Sequence, residues 1–351
     1  EILCDREIAC DSAVLQMISA DEYQAYGTTL INFAEKISSF SSPLAVGMSG
    51  NFRQMKRRIL NIAVFRKETL YQKMRALIIY LVISAVFIGC TPILSIDAST
   101  QSVYHFSDTD KNISLLDISE TFGTYDGSFV LYDNNLDSWK IYDLEEATKR
   151  IPPESTYKIY DALLGLESGI ITPEHSSMTW NGDAFPFPSW EADQDLNSAM
   201  QNSVNWYFQA IDSQLGINRV QEFLNKIEYG NQTTSSNLDL YWSDFSLKIS
   251  PLEQVTLLKK FNTNEFHLNF QNVFSVKNAI KIASTPNGNF YGKTGTGRVN
   301  GQDINGWFIG YVETSDNSYY FATNIQSDSN ATGKKAFEIT SDILKKLHIW
   351  N

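Results

Sequence analysis

The feature that most constrains how this chain can fold is an uncharged stretch, residues 76–96, with the sequence ALIIYLVISAVFIGCTPILSI. A helix needs about 20 apolar residues to cross the roughly 30 Å hydrocarbon core of a bilayer, and this stretch is that long. It lacks the polar face of a helix on the surface of a soluble domain. We therefore expect a transmembrane helix at 75–97. Two alternatives stay open: a signal peptide that starts at Met55 or Met74, and a lipoprotein site that makes Cys90 a lipid anchor.

The charges on the two sides of this stretch predict its orientation. The segment just before it is rich in basic residues, which are Arg53, Lys56, Arg57, Arg58, Arg66, Lys67, Lys73 and Arg75. Because basic residues are retained on the cytoplasmic side, we expect residues 1–74 in the cytoplasm and residues 98–351 outside a cell membrane. The basic segment could serve topology, contact with anionic membrane lipid or proteolytic cleavage, and the sequence does not choose among these. The net charge of −12 argues against nucleic acid as a partner.

The outer segment shows strand patterns near both of its ends and helical patterns between them. Residues 127–133 alternate apolar and polar side chains between turn residues, which is typical of a strand. Three later strands and a closing amphipathic helix are predicted at 291–299, 305–313, 319–326 and 334–349. Residues 155–285 are mostly helical in pattern. This order predicts an α+β domain in which early and late strands share one antiparallel sheet flanked by helices.

Ser155 and Lys158 form an S-x-x-K pattern at the start of the helical part, followed by apolar residues at helical spacing. A serine needs a base to become a nucleophile. A free lysine has a pKa of ~10.4, so its amine must be desolvated or chemically modified before it can act as that base. The pattern alone is weak, because Ser155 follows two prolines and could equally be a helix N-cap.

Two further triplets follow, S-V-N starting at Ser203 and K-T-G starting at Lys293. The three motifs in this order match serine acylases that use a lysine as the base. In such a site Lys293 supplies positive charge near Ser203 and a substrate carboxylate. Thr294 donates a hydroxyl hydrogen bond, and Gly295 lets a substrate lie against the strand edge. Each triplet could arise by chance, but chance does not readily supply all three together.

Because of these motifs, residues 120–350 resemble class D, the oxacillinase-type branch of the penicillin-recognising serine enzymes. The Y-G-N triplet at 229–231 and the run WSDFSLKISPLEQV at 242–255 match motifs of that family. The resemblance implies the class D β-lactamase fold, which is shared with penicillin-binding serine transpeptidases. It also implies that CO₂ carbamylates Lys158 and that the indole N–H of Trp242 donates to the carbamate.

The same resemblance implies how a substrate is held. The oxyanion hole would be formed by the backbone N–H groups of Ser155 and Thr296. Thr294 is expected to anchor the substrate carboxylate, with Arg298 and Lys335 as further candidates. We expect no cofactor in this domain other than the CO₂ on the catalytic lysine.

Asn205 departs from the hydrolytic members, which usually carry an apolar residue, often valine, at this position. Asparagine here resembles the penicillin-sensor domains of BlaR/MecR-type membrane receptors. Its amide carbonyl can accept a hydrogen bond from an ammonium group, which favours an uncarbamylated Lys158. An acyl group on Ser155 would then persist, because no base remains to activate water. This predicts a sensor of β-lactam antibiotics that signals across the membrane to induce resistance, with a cytoplasmic transcriptional repressor as a downstream partner.

Three other functions stay open. The main alternative is a membrane-anchored class D serine β-lactamase that hydrolyses β-lactams. It differs from a sensor in releasing the acyl group from Ser155 within minutes or less. A cell-wall transpeptidase lacks support from the class D motifs, and an inactive structural domain is disfavoured because the serine, lysine and K-T-G motifs are all intact.

The N-terminal segment carries a second resemblance. CDREIACDSAVL at 4–15 is similar to the stretch that follows the H-E-x-x-H helix in the metallopeptidase part of these receptors. The resemblance implies Glu7 as a zinc ligand and Asp11, one turn further, as an assisting acid. The first histidine is His105, so H-E-x-x-H is absent and zinc cannot be held by these residues alone. We expect residues 1–74 to be the truncated end of a zinc metallopeptidase-like domain, in a chain that is itself a fragment because it starts at Glu1.

Overall fold

The structure is a computed structural model of the chain. It describes residues 2–38, 52–67, 71, 74, 75, 77, 79, 80, 102–107, 109, 111–235 and 237–351. The chain divides into two compact units, Glu1–Ile93 and Leu94–Asn351. Within the described residues, none of the helices has the length and apolar character needed to span a bilayer. Most of the span predicted at 75–97, including Cys90, lies outside the described residues, so the transmembrane helix stays a prediction.

The first unit is helical where it is described. Helix α3 (Phe52–Val64) packs against both α1 (Ile2–Met17) and α2 (Tyr23–Ser38). Leu15 of α1 and Ile62 of α3 are buried in this unit. The acids at the start of the chain therefore lie on a helix that faces the basic helix α3.

A seven-stranded sheet is the centre of the second unit, with the strand order β1-β3-β2-β7-β6-β5-β4. The strands are β1 (Asn112–Leu115), β2 (Asp126–Asp133), β3 (Ser138–Tyr142), β4 (Lys281–Thr285), β5 (Gly288–Val299), β6 (Gln302–Glu313) and β7 (Ser318–Gln326). The early strand β2 pairs antiparallel with the late strand β7, so both ends of the unit share one sheet, as predicted. The four strands predicted from sequence are β2, β5, β6 and β7.

The sheet is mixed, which corrects the prediction of an antiparallel sheet. Strand β1 pairs parallel with β3, whereas the other described strand pairs are antiparallel. After β1 the chain passes through a short helix, α4 (Ser119–Phe122), and then through β2, so that β3 runs in the same direction as β1. Strand β1 has four residues and mostly exposed side chains. Its four residues, Asn-Ile-Ser-Leu, alternate polar and apolar side chains over too short a stretch to predict a strand.

Helices cover both faces of the sheet. They are α5 (Leu144–Thr148), α6 (Lys158–Glu167), α7 (Leu196–Gln201), α8 (Asn205–Leu215), α9 (Ile217–Ile227), α10 (Pro251–Asn262), α11 (Phe270–Ala279) and α12 (Gly333–Lys346). Helices α4 and α12 contribute to the core on one face, and helices α6 to α11 to the larger core on the other. Helix α12 is the predicted C-terminal helix, and the Thr332 side chain caps it by accepting a hydrogen bond from the backbone N–H of Lys335.

Helix α6 lies at the centre of the larger core, and the residues from Lys158 to Leu166 are all buried. A helix that is surrounded by protein on all sides must bury every polar side chain that it carries. Buried polar groups need hydrogen-bond partners, because leaving them unpaired is costly. The sequence of α6 thus places Lys158 in the interior, directly after a 3₁₀ turn, Glu154–Tyr157, that contains Ser155.

Candidate active site

Ser155 and Lys158 lie next to each other at the start of α6. The Lys158 Nζ donates a hydrogen bond to the Ser155 Oγ over 2.9 Å. The lysine is only 1% exposed. Ser155 is not a helix cap, because Pro153 holds the N-cap position and Ser155 lies inside the 3₁₀ turn. The structure therefore places the hydroxyl that would attack within reach of a buried amine.

Asn205, the first residue of α8, contacts the same amine. The Lys158 Nζ donates a second hydrogen bond to the Asn205 Oδ1 over 2.7 Å. The rings of Phe208 and Trp242 each have their centroid 5.5 Å from this nitrogen. Burial lowers the pKa of Lys158 to about 8. Near neutral pH the amine therefore has both a charged and a neutral population, and the two oxygen acceptors and two aromatic faces favour the charged one.

Ser203 and Lys293 form a second serine–lysine pair. Ser203 lies just before α8 with a left-handed backbone (φ 53°), and Lys293 lies on β5. The Lys293 Nζ donates hydrogen bonds to the Ser203 Oγ and, over 2.9 Å, to the backbone oxygen of Thr294. Burial, with a smaller effect from the charge of Lys158, lowers the pKa of Lys293 well below its usual value. Lys293 is thus placed to exchange a proton with Ser203, and its expected positive charge near a substrate carboxylate stays a prediction.

The edge of β5 lies directly against the 3₁₀ turn that contains Ser155. A Cβ on Gly295 would lie 3.1 Å from the Glu154 Cβ and the Pro153 oxygen, and 3.3 Å from the Ser155 nitrogen. A Cβ on Gly297 would come within 2.4 Å of the Glu154 Oε1. A side chain at either position would require its neighbours on the turn to shift, so glycine favours this close approach. The K-T-G motif therefore brings the β5 backbone beside the backbone N–H of the nucleophile.

Glu154 is a buried acid at the site that the sequence gave no reason to select. It is 6% exposed, and its Oε1 accepts a hydrogen bond from the Asn305 Nδ2 over 3.3 Å. Burial raises the pKa of Glu154 to about 8, although the hydrogen bond from Asn305 opposes the shift. At neutral pH this carboxyl is mostly protonated. An acid before a helix usually lies in solvent, so only the tertiary contact with β5 and β6 could reveal it.

A cleft of about 350 Å³ opens at these residues. The predicted site residues that line it are Ser155, Ser203, Asn205, Thr294, Gly295, Thr296 and Arg298. Lining residues that the sequence did not identify are Phe187, Ser189, Trp190, Asn202 and Asp303. Three of these belong to the irregular segment between α6 and α7, whose sequence has no motif. The cleft thus has polar lining that includes the two serines, Ser155 and Ser203, and an aromatic wall.

The remaining predicted residues have other contacts. The Thr296 Oγ1 accepts a hydrogen bond from the Gly333 N–H over 2.8 Å, which ties β5 to the start of α12. The Arg298 Nε forms an ion pair with the Asp303 Oδ1 over 2.7 Å at the mouth of the cleft. Lys335 forms an ion pair within α12 and is not among the lining residues. Arg298 is therefore the better placed of the two candidates for a substrate carboxylate.

Glu7 and Asp11, the predicted metal residues, both contact Arg58 of α3. The Arg58 Nε lies 2.8 Å from the Asp11 Oδ2, and its Nη1 lies 3.2 Å from the Glu7 Oε2. The Tyr26 hydroxyl donates a further hydrogen bond to Asp11 over 2.9 Å. In the part of the chain that the structure describes, no three His, Cys, Asp or Glu side chains are grouped to hold a metal. Two carboxylates bound to a guanidinium do not by themselves fit a zinc site, so zinc binding stays a prediction.

Two protein-family models match the chain. Residues 127–345 match the penicillin binding protein transpeptidase domain, and residues 1–62 match the BlaR1 peptidase M56 family. The first match covers more than half of the chain and includes both serine–lysine pairs. The second covers the segment that carries Glu7 and Asp11.

Curated relatives match over both parts. The chain is 41% identical to the regulatory protein BlaR1 of Bacillus licheniformis over 100% of this chain and 58% of that protein. It is 35% identical to the methicillin resistance mecR1 protein of Staphylococcus aureus over 98% of this chain and 58% of that protein. The chain therefore spans less than two thirds of the length of these relatives. The probable β-lactamase YbxI of Bacillus subtilis is 37% identical over 67% of this chain and 86% of its own length.

Solved structures resemble the second unit. The C-terminal domain of the Bacillus licheniformis BlaR penicillin-receptor is 45% identical, with a TM-score of 0.67, over 69% of this chain and 99% of that one. The class D β-lactamase BAT-2 is 36% identical, with a TM-score of 0.63, over 67% of this chain and 97% of that one. The fold is therefore that of class D β-lactamases and penicillin-binding domains, built on a mixed sheet flanked by helices.

Proposed function

This chain belongs to the BlaR1/MecR1 family, and we propose that it is the β-lactam-sensing part of a membrane signal transducer. In this proposal a β-lactam antibiotic acylates Ser155, and the acyl group is released slowly. The likeness to the C-terminal domain of the Bacillus licheniformis BlaR penicillin-receptor supports this assignment. So does the 41% identity with BlaR1 over the whole chain.

The observation that carries the proposal is the pair of hydrogen bonds made by the Lys158 amine. It donates to the Ser155 Oγ over 2.9 Å and to the Asn205 Oδ1 over 2.7 Å. The first contact suits an amine that accepts the hydroxyl proton. The second suits an ammonium that is held afterwards, because an amide oxygen can accept a hydrogen bond but cannot donate one.

Acylation then uses the residues around the cleft. Lys158 takes the proton of the Ser155 hydroxyl, and the Oγ attacks the β-lactam carbonyl carbon. The backbone N–H groups of Ser155 and Thr296 stabilise the oxyanion. The carbon–nitrogen bond of the ring breaks as Ser203 passes a proton to the departing nitrogen, and Lys293 returns a proton to Ser203.

Persistence of the acyl group follows from the state of Lys158. A pKa of about 8 leaves roughly a tenth of the amine neutral at pH 7. That population can react with CO₂, and the resulting carbamate is an anion at neutral pH that can act as the base for acylation. After acylation the N–C bond of the carbamate breaks and CO₂ leaves, and the freed amine takes up a proton. The resulting ammonium bound to Asn205 cannot activate water, so the ester on Ser155 survives.

The wider role is also part of the proposal. The likeness to BlaR1 and MecR1 proteins supports a membrane location, with residues 98–351 outside the cell and a single span at 75–97. The match of residues 1–62 to the peptidase M56 family supports a cytoplasmic zinc metallopeptidase-like segment that receives the signal. A transcriptional repressor would be its downstream target, and the basic segment before residue 76 would contact anionic lipid.

A class D β-lactamase is the competing function, because class D enzymes share the fold of the second unit. The test uses the full chain with a chromogenic cephalosporin and peptide mass spectrometry. We expect one equivalent of ring opening per protein, an adduct on Ser155 and no adduct in Ser155→Ala. Continued turnover after the first equivalent would assign the chain to the hydrolases, and absence of any adduct on Ser155 would remove both functions.

A further inference from the structure

Two acids lie in the core behind Lys158, and the mechanism above does not use them. Asp161 lies three residues after Lys158 on α6, so both side chains project from one face of the helix. Asp212 lies on α8, which packs against α6. Both acids are 0% exposed. Each acid shifts the pKa of the other, so the two carboxyl groups are near neighbours.

Few other groups pair with these carboxyls. Neither Asp161 oxygen has a hydrogen-bond partner in the described structure, and the same holds for the Asp212 Oδ2. The Tyr241 hydroxyl donates to the Asp212 Oδ1 over a long 3.4 Å. Two adjacent buried carboxylates cannot both be ionised without a large cost. A single shared proton supplies the missing hydrogen bond and leaves one negative charge on the pair.

The direction of the pKa shifts agrees with a shared proton. Burial raises the pKa of Asp161 well above its usual value, and the nearby charge of Asp212 raises it further. Burial also raises the pKa of Asp212, to about 8. Asp161 is therefore the member that keeps its proton, and Asp212, whose pKa of about 8 equals that of Lys158, is the member that can exchange a proton with the lysine.

The pair lies where a buried ammonium needs a counter-charge. Asn205 offers Lys158 a neutral carbonyl, and the Glu154 carboxyl accepts its hydrogen bond from the Asn305 Nδ2. A buried ammonium without an ionised partner loses its proton. Other titratable groups that reach the pair are Tyr157, Tyr207, Tyr241 and Asp239. The tyrosines are neutral at pH 7, and Asp239 is a further acid.

We propose that Asp161 and Asp212 share one proton and act as the counter-charge that keeps Lys158 protonated in the acyl-enzyme. They are then positioning residues for the persistence of the acyl group, and this inference rests on the proposed function. The step is a proton transfer alone. When the pair holds two protons and Lys158 is a neutral amine, one O–H bond of the pair breaks and one N–H bond forms on the lysine, which leaves the pair singly negative.

The test compares four full-length proteins after acylation with labelled penicillin: wild type, Asp161→Asn, Asp212→Asn and the double variant. Each single variant still contains one acid that can carry the charge, so we expect label release within about threefold of wild type. The double variant has no acid left. We expect it to release label at least about tenfold faster, and to lower the pKa of Lys158, measured by NMR on ¹³Cε-labelled lysine, by at least about one unit.

A matched control separates charge from packing. Tyr160→Phe removes a buried hydroxyl without a partner in the described structure from the same helix, changes no charge, and is expected to leave label release as in wild type. If the double variant equals wild type in release and in the lysine titration, the inference is overturned while the sensor assignment stands. If wild type itself sheds label within minutes, the sensor assignment fails and the inference fails with it.

If the double variant does not fold, infrared spectroscopy can still test whether Asp161 and Asp212 share a proton. The acylated wild type is expected to show a protonated carboxyl band that is absent from acylated Asp161→Asn, and Glu154 cancels because it is common to both proteins. Identical spectra in the protonated-carboxyl region would overturn the shared proton.

Discussion

Replacing Asn205 with valine gives a sharp test of why the acyl group persists. The variant removes the amide oxygen that lies 2.7 Å from the Lys158 amine. It leaves the 2.9 Å contact between that amine and Ser155. A hydrogen bond to a charged group contributes about 1.5–3 kcal/mol, and every 1.4 kcal/mol is about a factor of ten. We therefore expect the population of protonated, uncarbamylated Lys158 to fall roughly 10- to 150-fold relative to the active base, and acyl release to accelerate by the same factor.

The assay is a pulse of labelled penicillin on the full chain followed by a chase with unlabelled drug. Gln214→Val is the matched control, because it places the same β-branched residue at an exposed position of α8. Valine there lowers the helix propensity of α8 in the same way but touches no site residue. We expect this control to release label at the wild-type rate. Equal release from wild type and Asn205→Val would refute the reasoning, because the amide oxygen would then have no influence on the base.

Three further predictions follow from the structure. Ser203→Ala should acylate about 100-fold more slowly in stopped-flow experiments with little change in initial binding, because it removes a proton-transfer group. Glu154 has a folded pKa raised to about 8, so the wild type should lose stability as pH rises from about 5 to 8. The slope should be up to ~1.4 kcal/mol per pH unit steeper than in Glu154→Gln, measured by urea unfolding. Arg58→Ala leaves buried Asp11 without its 2.8 Å partner, and hydrogen exchange in α1 should show a loss of about 3 kcal/mol.

Much of the second unit could be predicted from the sequence, because its signals are local. Strands β2, β5, β6 and β7 have alternation or turn residues at their ends, and they lie where these patterns predicted them. The S-x-x-K, S-V-N and K-T-G motifs contain residue types that are each suited to a specific catalytic role. Their order along the chain was enough to predict one site, in which Ser155 and Ser203 line a cleft and each accepts a hydrogen bond from its lysine.

The features that the sequence did not reveal depend on contacts between distant segments. Strand β1 is short, and its parallel pairing with β3 follows from the path of the chain rather than from its composition. Glu154 and Asp161 look like ordinary acids at the start of a helix, and only burial against β5 and α8 makes them unusual. Phe187 and Trp190 lie in a segment without a repeating pattern, so only the folded chain shows that they form a wall of the cleft.

Both proposed functions depend on the Lys158 amine, which can donate hydrogen bonds to two different acceptors. The Ser155 hydroxyl lies on one side of Lys158, and the Asn205 carbonyl lies on the other. A hydrolase would need the lysine to regain its basic form after acylation, whereas a sensor benefits when it does not. The state of this single side chain thus decides between the two proposed functions.

The most direct measurement is the lifetime of the acyl group on Ser155 in the wild-type full chain, followed by mass spectrometry after excess penicillin is removed. The account predicts that the adduct remains on Ser155 for many minutes to hours. Recovery of unmodified Ser155 together with hydrolysed penicillin within minutes or less would contradict it.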